Sequence, residues 1–155
     1  MTGNTRRYPC GMSEGAQQHL EALFSDHGVG ALVTLKADGR PQISNVLYSF
    51  DRGRQIFEVS VTDTRAKTTN LRRDPRVSLH VSAPDGWSYA VAEGRAELSP
   101  PASDPHDTTV TGLALLYEKL QGEHPDWDEF RTAMIHERRL LLTIHVERVY
   151  GVTRH

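Results

Sequence analysis

The stretch from Ala31 to Thr62, ALVTLKADGRPQISNVLYSFDRGRQIFEVSVT, decides the fold. Three runs of period-two patterning are divided by two turns. ALVTLK (31–36) reads as one strand, PQISNVLYSF (41–50) as a second and QIFEVSVT (55–62) as a third. Asp38-Gly39 between the first two is a hairpin signal, because both central residues of such a turn must tolerate positive φ. Asp51-Arg52-Gly53 turns the chain again. Phe57, Val59 and Val61 share one face of the third strand. Turns this short leave only antiparallel neighbours, so the stretch is a meander.

Before it, residues 1–12 (MTGNTRRYPCGM) show no periodicity and are expected to form a flexible leader to a single domain over residues 13–155. Ser13 is a helix N-cap, Ala16, Leu20, Leu23 and Phe24 fall on one helical face, and Gly28 is expected to end that helix in a left-handed conformation. After the meander, DTRAKTTNLRRDP (63–75) predicts a short helix capped by Asp63 or Thr64 and stopped by Asp74-Pro75. VSLHV (77–81) is a strand. Trp87 to Leu98 is a long one, with Trp87, Tyr89 and Val91 on one face and the small Ser88, Ala90 and Ala92 on the other. A helix over Asp107 to Gln121 carries Val110, Leu113, Leu116, Tyr117 and Leu120 on one stripe, and Gly122 ends it. Pro125 and Asp126 open another helix, with Asp126 and Glu129 as a capping box and Trp127, Phe130 and Met134 as its apolar stripe. Leu140, Leu142, Ile144 and Val146 alternate in a last strand that ends near Tyr150-Gly151. The sum is six strands and about four helices without regular βα alternation. The fold class predicted is mainly β, a small antiparallel barrel with helices covering its ends.

Composition narrows the function. A length of 155 residues favours one domain, and 37% apolar residues is modest for a core, which hints at burial against a second copy. The net charge of −2, with mixed signs, offers no basic field, so nucleic acid is not an expected partner. A single cysteine, Cys10, excludes an internal disulfide and fits the reducing cytosol; it reads as a bystander in the leader. No apolar run has membrane-span length and the start lacks a signal-peptide layout, so a cytoplasmic protein with no membrane partner is expected. The eight histidines include no pair at metal-ligand spacing. His136 has no second histidine one turn away, His80 and His145 read as solvated, and no metal is assigned. Gly28-Val29-Gly30 precedes a strand instead of following one and lacks a third glycine, so it is not a dinucleotide fingerprint. A nucleophile elbow, a nucleotide-hydrolase phosphate loop and a paired carboxylate site are all missing. Any chemistry must come with a cofactor.

The segment Thr64-Arg65-Ala66-Lys67-Thr68-Thr69-Asn70 places two cations in the first turn of a predicted helix. The positive end of a helix disfavours them by a few tenths of a kcal/mol or so unless an anion joins them. Two readings stand on spacing alone: a phosphate site, or a surface helix whose cations point to water. Gln42, Ser44 and Asn45 could read the rim of a planar heterocycle or simply form a solvent-facing polar stripe. Gln42 and Ser44 share a face, and Asn45 points the other way unless a bulge intervenes. Ser60 is read the same way. Trp87 and Tyr89 could wall off a pocket or pack in a core or dimer interface.

Three segments carry a resemblance: LVTLKADGRPQISNVLYSF (32–50), VSVTDTRAKTTNLRRDPRVSLHV (59–81) and DGWSYAVAEGRAEL (85–98). Together they resemble the pyridoxamine-phosphate-oxidase-like flavin/deazaflavin oxidoreductases. The likeness is greatest to the actinobacterial branch that binds the deazaflavin coenzyme F420. It runs from about residue 20 to 151, with the R-A-K-T-x-N-L run from Arg65 through Leu71 as its most specific part. EHPDWDEFR and RRLLLT also look like that branch. The resemblance implies a split β-barrel homodimer with two cofactor sites at the subunit interface. It implies that Arg65, Ala66 and Lys67 hold the cofactor phosphate. Gln42, Ser44 and Asn45 would border the ring and ribityl chain, with Ser60 on the adjacent strand, and Trp87 would close the site, from its own or the partner subunit. The C-terminal ERVYGVTRH lacks the basic and aromatic signature of the pyridoxamine phosphate oxidases proper. The implied function is therefore F420-dependent hydride transfer to a small planar unsaturated molecule. The alternatives are an FMN-dependent oxidoreductase of the same fold and a carrier that binds the cofactor without turnover. Arg65, Lys67, Arg72 and Arg73 would offer the acidic deazaflavin tail a basic groove.

Overall fold

The Asp38-Gly39 turn forms as its residues dictate. Gly39 takes φ 87°, and Asp38 Oδ1 accepts from the Arg40 amide at 3.0 Å. It joins β1 (His27–Leu35) to β2 (Pro41–Asp51) in an unbroken antiparallel register from Leu35↔Pro41 to His27↔Ser49. At the next turn Asp51 Oδ1 accepts from the Arg54 amide, and the left-handed residue is Gln55, φ 55°, rather than Gly53. The chain then enters β3 (Ile56–Thr62). This is a computed structural model, and it describes residues 12–154. The predicted leader, with Cys10, lies outside them except for Met12, which packs against the core.

The remaining elements are α1 (Glu14–Ala22), α2 (Ala66–Arg73), β4 (Arg76–Ser82), β5 (Tyr89–Leu98), α3 (Thr108–Gln121), α4 (Trp127–His136) and β6 (Arg139–Val152). The six strands close into a barrel in the order β1-β2-β3-β6-β5-β4, with every pairing antiparallel. Alternation turns Leu32, Tyr48, Phe57, Val59, Leu79, Leu140, Leu142 and Ile144 inward, and all are essentially inaccessible. Phe24, Phe50 and Phe57 meet edge-on or stacked at one end of this core. The small face of β5 is also internal. Ala90 and Ala92 are fully buried because the barrel's own larger side chains fill the space before them.

Four local expectations need correction. The α1 helix starts as predicted, with Ser13 Oγ accepting from the Ala16 amide, but Gly28 does not end it. Ser25 takes the left-handed conformation (φ 54°), and Gly28 lies within β1. A Cβ at Gly28 would sit 3.0 Å from the Tyr48 hydroxyl, which donates to the Phe24 carbonyl at 2.6 Å. The glycine thus makes room for a buried tyrosine, whose pKa burial raises to about 12. Second, α2 begins at neither Asp63 nor Thr64 but after Arg65. Third, Trp87 precedes β5 instead of opening it. Fourth, of the two strand histidines only His145 is solvated as expected, its side chain 53% exposed. The His80 ring stacks on Tyr89 with centroids 5.5 Å apart, and His145 Nε2 lies 2.6 Å from Glu97.

The later helices follow their capping residues. Asp107 accepts from the Val110 amide at 2.7 Å, and Gly122 (φ 81°) ends α3. Asp126 accepts from the amides of Asp128 and Glu129. The reciprocal half of the predicted capping box is absent, because the Asp126 amide donates to His124 Nδ1 instead. The α3 helix packs on β2, β3 and β6, and α4 packs on α3 and β6. Among the described residues no helix is long and apolar enough to cross a membrane.

Candidate functional site

Strands β2 and β3 pair only from Asp51↔Ile56 to Ser49↔Glu58. Beyond that point β2 continues against β1 and β3 continues against β6. A cavity of about 680 Å³ is lined by both strands where they diverge, with Asn45 and Leu47 from β2 and Ser60 and Thr62 from β3. The β1–β2 register contains no bulge, so Asn45 and Ser44 do lie on opposite faces of β2.

The start of α2 closes one end of this cavity. Arg65 is the N-cap residue but makes no side-chain cap bond. Asp63, one of the two expected caps, is instead held by Arg72 and by Arg138, the latter at 2.9 Å. Both guanidiniums hydrogen-bond to this carboxylate and hold its pKa below the usual range. The amides of Ala66 and Lys67 therefore meet no acceptor among the described residues. Lys67 Nζ donates to Ser44 Oγ at 3.5 Å. Burial lowers the Lys67 pKa from its ordinary value, and the nearby Arg65 and Arg139 guanidiniums lower it further. Arg139 is paired with Glu137 at 2.9 Å, whereas no ion-pair partner of Lys67 or Arg65 occurs among the described residues. Three cations that repel one another and two amides without acceptors make a cradle for an oxyanion with several lone pairs.

The other sequence candidates divide between wall and frame. Asn45, Ser60, Arg65 and Lys67 line the cavity. Ser44 touches it through Lys67. The exposed Ala66 offers its amide. Gln42 and Asn70 belong to the frame. Thr34 Oγ1 donates to Gln42 Oε1 and accepts from Asn70 Nδ2, and Asn70 Oδ1 accepts from Arg73, which tethers α2 to the first hairpin. Arg72 is paired with Asp63, whereas the exposed Arg73 donates to the Leu35 carbonyl and has no ion-pair partner among the described residues. Trp87 is 64% exposed, lies outside this cavity, and carries the Arg154 guanidinium over its ring at 5.0 Å.

The roof was less legible. Leu113, Leu116, Tyr117 and Leu120 of α3, with Phe130 and Met134 of α4, line the cavity. Their helical stripes were visible in the sequence, but not the strands they would cover. Arg139 and His124 also line it and were missed. The signal for Arg139 was a basic residue at the mouth of an apolar strand; for His124 it was a histidine between two predicted helices. No group of three or more histidine, cysteine or carboxylate side chains able to hold a metal occurs among the described residues.

Comparison with known proteins agrees with this architecture. The chain is 28% identical over 130 residues to an F420H(2)-dependent biliverdin reductase of Mycobacterium tuberculosis, covering 84% of this chain and 83% of that protein. A solved F420 reductase superposes with a TM-score of 0.65 at 23% identity, over 90% of this chain and 98% of the other. A structure of Listeria innocua, described as a putative pyridoxamine 5'-phosphate oxidase, gives 0.61 at 17% identity, over 89% and 98%. The model of the pyridoxamine 5'-phosphate oxidase family matches residues 16–153, and with nearly all of the described barrel inside that match, the chain belongs to this family.

Proposed function

We propose that the protein is an F420-dependent oxidoreductase that transfers a hydride between the deazaflavin and a small planar unsaturated molecule. The observation that carries this reading is the cradle at the start of α2, where Arg65 and Lys67 line a cavity of polar and apolar walls and two amides of the same turn have no acceptor among the described residues. A cofactor phosphate fits it, because it would supply the negative charge and the acceptors those groups lack. The name of the mycobacterial biliverdin reductase supports F420 in particular.

Bound F420 would supply the two-electron centre, which no side chain of this chain provides. Lys67 and Arg65 would anchor the phosphate. Asn45 and Ser60 would border the ring and ribityl chain, and Ser44 would fix the Lys67 ammonium. The apolar faces of α3 and α4 would exclude water and hold a flat substrate against the ring. Solvent would supply the proton.

The site would be completed by a second copy. Across β1 and β2 the directly paired Val29 and Leu47 are 60% and 48% exposed, and Ile43 is 62% exposed. A neighbouring apolar row of this size on an outer sheet face is the kind of surface that a dimer covers. In that arrangement Trp87 of the partner subunit would close the site. Leu47→Glu is expected to give a monomer in sedimentation velocity; a variant that stays dimeric removes this face from the interface.

A second reading is favoured by one observation. With Arg72 paired to Asp63 and Arg73 donating to the Leu35 carbonyl, the cations left at the cradle suit a single compact phosphate, as in FMN. Titration of the protein with F420 and FMN in parallel, followed by tryptophan fluorescence, decides between them. The proposal expects micromolar F420 binding with FMN much weaker, and the reverse order would replace it. Tight F420 binding with no turnover across enones, quinones and tetrapyrroles would make the protein a carrier.

A further inference from the structure

We infer that His124 is the hydrogen-bond donor that recognises a carbonyl or imine acceptor on the substrate, within an aromatic subsite beneath α3 and α4. The inference rests on the functional reading above and adds a substrate class to it: flat, conjugated molecules that carry one such acceptor.

His124 lies between α3 and α4 and lines the cavity. Its Nδ1 accepts the Asp126 amide at 2.9 Å, a bond that the start of α4 imposes. A backbone amide can only donate, so Nδ1 is unprotonated and the ring proton sits on Nε2. No partner for Nε2 occurs among the described residues. The ring itself is held on three sides. Its centroid lies 5.1 Å from Tyr117, 5.5 Å from Phe130 and 5.7 Å from Trp127. Those rings also pack on one another, Tyr117 against Phe130 at 5.2 Å and Trp127 against Phe130 at 5.4 Å. The donor is thus pre-set in tautomer and direction before any ligand arrives.

The surroundings define what it can read. Tyr117 and Phe130 line the same cavity, with Leu116 and Met134 beside them. Aromatic and thioether walls favour a flat polarisable body, and one fixed N–H among them fixes its orientation. The cations of the cradle come from α2 and β6, so the phosphate anchor and this donor are carried by different elements. A hydrogen bond from neutral imidazole draws electron density from a carbonyl or imine and makes its conjugated carbon a better hydride acceptor. The bond polarises the acceptor without giving up the Nε2 proton.

The test uses the full chain without cofactor and two probes of nearly equal shape, 1-indanone and indane, by protein-observed NMR titration. Only indanone carries the acceptor. The inference expects His124→Phe, which keeps a ring and deletes the donor, to reduce the indanone-to-indane affinity ratio about tenfold, the worth of one hydrogen bond. His124→Gln, which restores an N–H, should recover most of it. An unchanged ratio in His124→Phe, or no indanone binding to the wild-type protein, overturns the inference. A measurement on the wild-type protein stands apart from variant folding: long-range 15N spectra of His124 should show the Nε2–H tautomer, and the Nδ1–H tautomer overturns the inference. F420 titration of the same samples separates the two readings. Indanone preference without F420 binding leaves the donor and removes the cofactor. F420 binding with a ratio indifferent to His124 does the opposite.

Discussion

Two edges of one barrel behave in opposite ways. The β5–β6 seam pairs from Tyr89↔Val152 to Leu98↔Leu142, broken only by a bulge at Glu93/Gly94. Its backbones come so close that a Cβ at Gly94 would lie 2.2 Å from the His145 carbonyl oxygen. The β2–β3 edge releases after Ser49↔Glu58, and the residues beyond it, Asn45, Leu47, Ser60 and Thr62, line a cavity. One seam is closed backbone to backbone at Gly94, and the other leaves room for a ligand. The difference teaches where each property resides. Main-chain closure at β5–β6 holds the barrel, so mutually repelling cations can be gathered at the open edge without breaking the sheet.

The sharpest way to break that comparison is Gly94→Ala. The new methyl would meet backbone that cannot move without undoing the bulge, and a cost of about 3 kcal/mol in unfolding free energy is expected. Gly53→Ala is the control. Its Cβ would meet only the Asp51 carboxylate at 3.5 Å, and a change within about 0.5 kcal/mol is expected. Urea denaturation compares the two. Equal costs would mean that the closed seam is no more constrained than a surface turn.

At the open edge the expected effect is smaller and falls on binding. Lys67→Ala should weaken F420 by about 1.5–3 kcal/mol, the worth of a charged hydrogen bond. Stability should hold or rise, because the variant removes a partly buried charge that faces Arg65 and Arg139. Fluorescence titration and thermal melting of the same sample read both. Retained affinity would remove Lys67 from the cradle.

The two edges were not equally legible in the sequence. The strands show through their own alternation, and Asp38-Gly39 and Asp74-Pro75 act on the residues beside them. Those elements followed from local rules. Gly28 did not: it is small for Tyr48, which is twenty residues away in the chain, and helix-end chemistry near Phe24 could not reveal that. The candidate site was half legible. Arg65 and Lys67 stood out because cations are out of place at a helix start. Asn70 sat in the same run, yet its side chain bonds Thr34 and Arg73 within the frame. Arg139 and His124 arrive from elements that meet only in the folded chain. Trp87 is exposed and lies outside the cavity, which its alternation in the sequence did not reveal.

The smallest expected effect is a fraction of a proton. In the free protein the Lys67 pKa lies below its ordinary value of 10.5 through burial and the two arginines. The unfolded chain then binds that proton more tightly than the native one. Native stability should therefore rise with pH across the window from the lowered value up to 10.5. A phosphate in the cradle reverses the cause, because its charge offsets Arg65 and Arg139 and favours the ammonium. Within the same window F420 binding should take up a proton, and affinity should fall as pH rises. Calorimetry in two buffers of different ionisation enthalpy measures the uptake. The phosphate of either cofactor is already ionised at such pH, so the proton must come to the protein. Lys67→Ala should abolish the uptake. Uptake that persists in the variant would place the titrating group elsewhere and leave the open edge with a different anchor.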